Sequence, residues 1–306
     1  MDEFTLEGDD GTEIFCRRWL PSANARAVVV VVHGASEHSG RYARVAEVLR
    51  QDGEAVYALD LRGHGRTADS TGRGRIGPRG MNGVLDDVRA LVERARAEVG
   101  DVPVVLVGHS MGSVVVQAYV ARGADGVDGY ALSGTMGLTE GTPEFRDGLR
   151  LAMEAGLADE PLDATGAAGA SFESGRTAYD WLSRDEDEVD RYIADPLCGT
   201  DVPLTYGYVA EVLETVIDVM GPDGIARIPQ RLPVLLLAGD ADPVSENGAH
   251  VRALEQRLRD AGLAVTSHYY AGARHEVFNE TNRDEVHADL LTWLATAVSG
   301  PASPGG

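Results

Sequence analysis

The stretch Val102-Pro103-Val104-Val105-Leu106-Val107-Gly108-His109-Ser110-Met111-Gly112 decides how the rest of the chain is read. Its apolar, β-branched half has the pattern of a strand buried on both faces. The residues that follow, Ser113-Val114-Val115-Val116-Gln117-Ala118-Tyr119, continue as a buried helix. Strand, tight turn and helix with serine at the apex is the context in which G-x-S-x-G presents a nucleophile. The turn is so sharp that Ser110 must be held in a strained backbone conformation. Side chains at 108 and 112 would collide with the neighbouring strand and helix. In return the hydroxyl projects from the end of the sheet, beside amides that point where an oxyanion would form.

The chain has 306 residues, enough for one large α/β domain or a core carrying an insertion. An apolar fraction of 43% and a charged fraction of 25% are those of an ordinary globule. No apolar run approaches the ~20 residues of a membrane span. The start, Met1-Asp2-Glu3-Phe4-Thr5, lacks the basic and apolar regions of a signal peptide, so a cytoplasmic enzyme is expected. A net charge of −22 argues against nucleic acid and anionic membrane surfaces as partners. Every basic residue is arginine, which rules out Schiff-base or Ser-Lys chemistry. Cys16 and Cys198 read as buried free thiols, and the histidines show no metal-ligand spacing. No metal or cofactor is indicated.

Outward from the elbow, residues 3–8 and 12–20 read as a hairpin around Gly8-Asp9-Asp10-Gly11. Ala27 to Val32 reads as a central strand, Tyr42 to Gln51 as a helix and Ala55 to Leu59 as the next strand. The loop His33-Gly34-Ala35-Ser36-Glu37-His38 follows the central strand and can aim the Ala35 amide beside the elbow, with Met111 supplying a second amide. His33, Glu37 and His38 are taken as loop-ordering rather than as a metal or acid–base cluster. Asp60 and Arg62 should tie down the turn around His64. Residues 67–82 read as a surface loop, and Val84 to Val99 has a helical period. Gly129 to Leu132 is a further strand.

From about 135 to 230 the strand–helix alternation stops. Phe145, Leu149, Met153 and Leu157 fall on one helical face; Tyr208, Val209, Val212, Leu213, Val216, Ile217 and Met220 form a stripe on another. Such an insertion is either a lid lining an acyl pocket or a packed helical excursion. The sheet resumes at Pro233 to Gly239, Ser245 can cap the helix that follows, and Ala264 to Tyr270 is the last strand. A terminal helix spans about Arg283 to Val298. The expected division is a core over 1–134 and 231–298, a helical cap over 135–230 and a disordered tail over 299–306.

Ser110, an aspartate after a late strand and His275 after the last strand thus occur in the order Ser…Asp…His, each at the C-terminal end of a strand. A serine hydroxyl needs a base to take its proton; His275 fills that role and later protonates the leaving group. Asp242 and Asp240 compete to orient the imidazole. Side chains alternate along an extended segment, so only one can meet His275, and Asp242, rigidified by Pro243, is preferred. His109 is expected to face away from the nucleophile and to pack.

With these residues placed, the chain resembles the α/β-hydrolase superfamily, in its monoacylglycerol lipase and lysophospholipase-like branch with a domain of the serine aminopeptidase S33 type. The resemblance rests on His33-Gly34-Ala35-Ser36-Glu37-His38-Ser39-Gly40-Arg41-Tyr42, Asp60-Leu61-Arg62-Gly63-His64-Gly65, the elbow, Gly239-Asp240-Ala241-Asp242-Pro243 and Arg274-His275-Glu276. Within the insertion it extends to Asp180-Trp181-Leu182-Ser183-Arg184-Asp185 and Asp195-Pro196-Leu197-Cys198. It implies a mostly parallel eight-stranded sheet flanked by helices, with an inserted helical cap over an apolar tunnel. It further implies a serine ester hydrolase of monoacylglycerol or lysophospholipid type, acting without cofactor on a small-molecule acyl ester. Ser110 would be the nucleophile, Asp242 and His275 its partners, and Ala35 and Met111 the oxyanion donors. Contact with lipid would be at most weak and peripheral, through the cap. The acidic cap and its Gly/Ala-rich segment Thr165 to Ala170 depart from the family.

Thioester, amide or peptide, carbon–carbon and perhydrolysis chemistry share this fold and triad, because substrate choice lives in the cap. Epoxide hydrolases and dehalogenases carry aspartate at the elbow, where this chain has Ser110. A non-catalytic ligand-binding protein is disfavoured because the nucleophile, base and acid positions are all occupied.

Overall fold

The computed structural model describes residues 1–162, 172 and 175–298. Thr165 to Ala170 and the expected tail 299–306 lie outside the described residues.

The sheet grows around Val28–Val32 (β3), a five-valine strand with every residue buried. Before it, Asp2–Glu7 (β1) and Glu13–Trp19 (β2) pair antiparallel as the expected hairpin. After it come Ala55–Leu59 (β4), Val104–His109 (β5), Gly129–Ser133 (β6), the short strands Pro161–Leu162 (β7) and Leu204–Thr205 (β8), then Val234–Gly239 (β9) and Val265–Tyr270 (β10). The main sheet has eight strands in the order β1-β2-β4-β3-β5-β6-β9-β10. β2 runs antiparallel to β4, and every later neighbour in the sheet is parallel. Parallel strands need crossover helices, which cover both faces and explain why β3, β4, β5, β6 and β9 are buried throughout, while the edge strand β10 is half-exposed.

The two faces divide the strand residues by parity. Val28, Val30, Val32 and Leu106 pack with Val84 and Val88 of helix Gly80–Val99 and Val114 of helix Met111–Ala121. Val29, Val31, Val105 and Val107 pack on the other side with Leu49 of helix Ala43–Asp52 and Leu290 and Trp293 of helix Arg283–Val298. Burying each such side chain stabilises the fold by about 1.5–3 kcal/mol. The elbow helix is sandwiched so deeply that all of its residues are buried.

Some boundaries differ from the sequence reading. Residues 67–82 are not all loop: Ala68–Thr71 forms a helical turn, and the long helix begins at Gly80 rather than Val84. A distant group fixes that start, since the Met81 amide donates to Glu211 Oε2 at 3.0 Å. Ser245 does not cap the next helix, which spans Ala249–Asp260. Its hydroxyl accepts from the Gly248 amide at 3.1 Å, within a turn that delays the helix.

Between β6 and β9 lie helices Thr142–Ala152, Glu186–Ala194 and Tyr206–Met220, with β7 and β8 paired antiparallel beside them. The stripe on the last of these is buried at Tyr208, Val209, Val212, Val216 and Met220. The other stripe breaks: Leu149 is buried, but Phe145 is exposed, and Gly156 with φ 91° ends the helical register before Leu157. The excursion is pinned to the β3 loop, where Gly199 N–H and the Tyr192 hydroxyl donate to the Ser36 carbonyl at 2.9 and 3.0 Å. No helix among the described residues is long and apolar enough to cross a membrane.

Candidate active site

Ser110 sits between β5 and the elbow helix with φ 51° and ψ −120°, a conformation that L residues adopt only under strain. The glycines on either side are sterically required. A Cβ on Gly112 would lie 2.2 Å from the Val32 carbonyl oxygen, and one on Gly108 would lie 2.5 Å from that of Gly112. Met111 opens the helix, so its amide is one of the donors a helix leaves without an internal partner.

His275 lies in the loop after β10 and Asp242 in the turn after β9. Nδ1 of His275 is 3.1 Å from both Asp242 oxygens, and both residues are buried. Burial opposes charge on the imidazole, but the facing carboxylate outweighs it and leaves the pKa of His275 above the ordinary value. The Val244 amide donates to Asp242 Oδ1 at 2.9 Å and fixes the carboxylate. Asp240 is exposed and accepts from the Gly272 amide at 2.6 Å, a turn contact away from His275.

Ser110, His275, Ala35 and Met111 line one cavity of about 370 Å³. Its remaining wall is largely apolar and comes from the excursion, through Leu162, Leu204, Val209, Val212 and Leu213 among others.

The loop after β3 is ordered by Glu37. Oε1 accepts from the Gly34 amide at 2.6 Å and the Tyr42 hydroxyl at 2.8 Å, and Oε2 accepts from Arg41 at 2.7 Å. Burial would raise the Glu37 pKa, yet Arg41 and its other partners hold it at about 2. Arg41 also reaches Glu276 Oε2 at 2.7 Å and lies over the Tyr192 ring at 4.7 Å. Nε2 of His33 accepts from the Leu61 amide at 2.9 Å, so Nδ1 carries the proton and donates to the Gly34 carbonyl at 2.7 Å. Asp60 accepts from the Ser39 and Arg66 amides, both at 2.9 Å, and Arg62 joins Asp10 and Asp87.

His38, Asp195 and Cys198 come together, with ligand atoms within 4.8 Å, although nothing in their spacing along the chain signals it. Nε2 of His38 donates to Asp195 at 2.9 Å while Nδ1 accepts from the Gly40 amide at 3.2 Å. A cation on Nε2 would require a proton on Nδ1, facing that N–H donor. The donor set therefore fits a hydrogen-bonded pair and not a metal centre.

His109 does not face away from the site. It ends β5 where the cleft opens, so its ring lines the cavity and lies 4.8 Å from that of His275. Burial and the neighbouring His275 push its pKa down to about 4, leaving it uncharged beside that imidazole. Trp181, buried with its ring 5.2 Å from His275, was legible only as part of a motif and not as a site residue.

A serine on a strained strand–helix turn, opening into a cavity shared with a histidine paired to a buried aspartate on a sheet of this order, defines an α/β-hydrolase. Residues 23–282 match the family described as serine aminopeptidase, S33. The chain belongs to that family. It is 31% identical to a monoacylglycerol lipase of Mycolicibacterium smegmatis, over 96% of this chain and 97% of that protein. It is likewise 31% identical to the monoglyceride lipase of Mus musculus, over 98% of this chain and 93% of the other. Among solved structures, a thermostable carboxyl esterase from Bacillus coagulans superposes with a TM-score of 0.90 at 28% identity, covering 97% of this chain and 98% of that one.

Proposed function

We propose that the protein is a serine ester hydrolase that cleaves single-acyl esters of monoacylglycerol or lysophospholipid type through an acyl-enzyme. The observation that carries this reading is the cavity itself, lined both by Ser110 and the Asp242-paired His275 and by a largely apolar wall. The names of the lipase and esterase relatives support the substrate class.

In this mechanism the Ser110 hydroxyl adds to the ester carbonyl carbon as its proton passes to Nε2 of His275. Asp242 holds the tautomer that leaves Nε2 free and stabilises the imidazolium. The Ala35 and Met111 amides donate to the oxyanion. Collapse breaks the carbon–oxygen bond, and His275 returns the proton to the departing alcohol. Water then repeats the addition on the acyl-enzyme, releasing the fatty acid and restoring Ser110.

Residues 135–230 act as the cap that supplies the apolar wall, on a core formed by 1–134 and 231–298. Cytoplasmic location is supported by Cys16 and Cys198, both buried free thiols of the kind a reducing compartment maintains. Exposed Leu151 on helix Thr142–Ala152 supports weak peripheral contact with lipid.

The test is to expose the protein and Ser110→Ala to a fluorophosphonate probe, p-nitrophenyl esters of graded length and monoacylglycerols. Labelling and turnover confined to the unmodified protein are expected. Labelling without ester turnover would move the reading to thioester, amide or carbon–carbon substrates, and absent labelling would overturn it.

A further inference from the structure

The cap touches the base directly, through one aromatic ring. Trp181 is buried, lines the cavity and sets its ring centroid 5.2 Å from that of His275, with the planes 44° apart. The backbone on either side is bonded into the loop that carries His275. The amides of His275 and Glu276 donate to the carbonyls of Trp181 and Leu182 at 3.4 and 2.8 Å. The Arg274 guanidinium donates to the carbonyls of Asp180 and Ser183 at 2.6 and 2.9 Å.

The polar group of Trp181 does not explain this placement. Its indole N–H is buried and has no hydrogen-bond partner among the described residues. A buried donor without an acceptor destabilises the fold. What the position presents to His275 is the ring itself, 5.2 Å away between centroids.

We infer that Trp181 is a positioning residue for His275, its ring holding the imidazole against Asp242 and favouring the imidazolium that forms as Ser110 attacks. This rests on the reading of His275 as the base. A cation within about 6 Å of an indole centroid is attracted by the ring quadrupole. In the reactive form His275 is neutral and becomes an imidazolium only as it takes the Ser110 proton, so along the reaction the attraction is larger in the transition state than in the ground state, which is the condition for catalysis. Asp242, Glu276 and Glu37 also face the imidazole, and their negative charges favour the same form. His109 faces it as an uncharged ring, and Arg274 is engaged by the cap carbonyls. None of these groups is altered by substitution at 181.

Trp181→Phe keeps a ring and removes the unpaired N–H; Trp181→Leu keeps apolar bulk and removes the ring. Three quantities separate the roles: kcat and KM for a p-nitrophenyl ester across the histidine pH range, the pKa of His275 by NMR in the ligand-free protein, and Tm. For Trp181→Leu we expect kcat to fall about tenfold with KM within about twofold, and the His275 pKa to drop by roughly 0.4–1 unit. Trp181→Phe restores kcat and pKa to near the starting values. A purely structural role would lower Tm and rate in Trp181→Leu with the His275 pKa unmoved, and that outcome overturns the inference. Should Trp181→Leu not fold, biosynthetic replacement of tryptophan by fluorinated tryptophans weakens the ring quadrupole at nearly constant shape. A stepwise fall in the His275 pKa is then expected, and a constant value overturns the inference. Because the NMR titration needs no substrate, loss of the ester-hydrolase reading and loss of this inference are separately observable.

Discussion

Both oxygens of the buried Asp242 carboxylate stand 3.1 Å from Nδ1 of His275, whereas Asp240, two residues earlier, is exposed and bound to the Gly272 amide. Asp242→Asn preserves shape but lets the imidazole take the wrong tautomer, so kcat for a p-nitrophenyl ester should fall by about 10⁴. Asp240→Asn should leave kcat within about twofold, at most loosening a surface turn. Equal losses in the two variants would refute the assignment.

The pH profile follows from the same pair. His275 must be neutral to accept the Ser110 proton, and its pKa is raised because Asp242 outweighs burial. The acid limb of kcat/KM is therefore expected above the ordinary histidine value of about 6.5. In folding, a raised value means that the pair's stabilisation is complete below the unfolded-state pKa and is lost as pH rises through the folded-state pKa. Activity and this part of stability should change in opposite directions over that window, as paired rate and urea titrations would reveal.

Ser110 carries strain that catalysis requires and stability does not. Its φ of 51° with ψ −120° is open to glycine and costly for other residues. Ser110→Gly and Ser110→Ala should both abolish fluorophosphonate labelling, but Ser110→Gly should be the more stable of the two by about 1–2 kcal/mol. Equal urea midpoints would mean that the turn is not strained.

The central strands were legible as apolar runs ended by glycine or polar residues, such as Val28–Val32 and Val234–Gly239, and β1 and β2 by the hairpin turn between them. The elbow, Asp242 and His275 were legible because strand ends locate them. What escaped was set by contacts remote in sequence. Glu211 fixes the helix start at Met81, and the loop of Asp180–Ser183 brings Trp181 onto His275. His109 was misplaced because the group it meets, the His275 ring at 4.8 Å, comes from a loop remote in sequence.

Glu37 bears the loop that presents Ala35, through its bonds to the Gly34 amide, Tyr42 and Arg41. Glu37→Gln leaves Arg41 with Glu276 alone and should cost about 3 kcal/mol, since breaking a buried ion pair strands a charge. Burial opposes the Glu37 charge, but Arg41 and the other partners win and depress its pKa to about 2. The stabilisation is thus present above the ordinary glutamate value and lost as pH falls toward about 2. The deficit of Glu37→Gln in urea melts should shrink on acidification over that window; a constant deficit would assign the loss to packing.

The cap wall makes a quantitative prediction about chain length. Each methylene that leaves water for an apolar cavity gains about 0.8 kcal/mol, or roughly fourfold in kcat/KM when that gain is realised in the transition state. The rate should climb at that slope along a p-nitrophenyl ester series until the cavity of about 370 Å³ is filled, then level off. Leu213 is half-buried on helix Tyr206–Met220 and lines this cavity, so Leu213→Trp puts its added atoms into open space. The slope should persist and the plateau should arrive at a shorter ester, with Tm little changed. Val216, one turn on, is buried in the core and does not line the cavity. Val216→Trp should overpack and destabilise by about 1–3 kcal/mol without moving the plateau of whatever protein remains folded. If Leu213→Trp lowers the rate equally for every chain length, the apolar wall does not receive the acyl chain, and the alcohol side of the ester must occupy it instead.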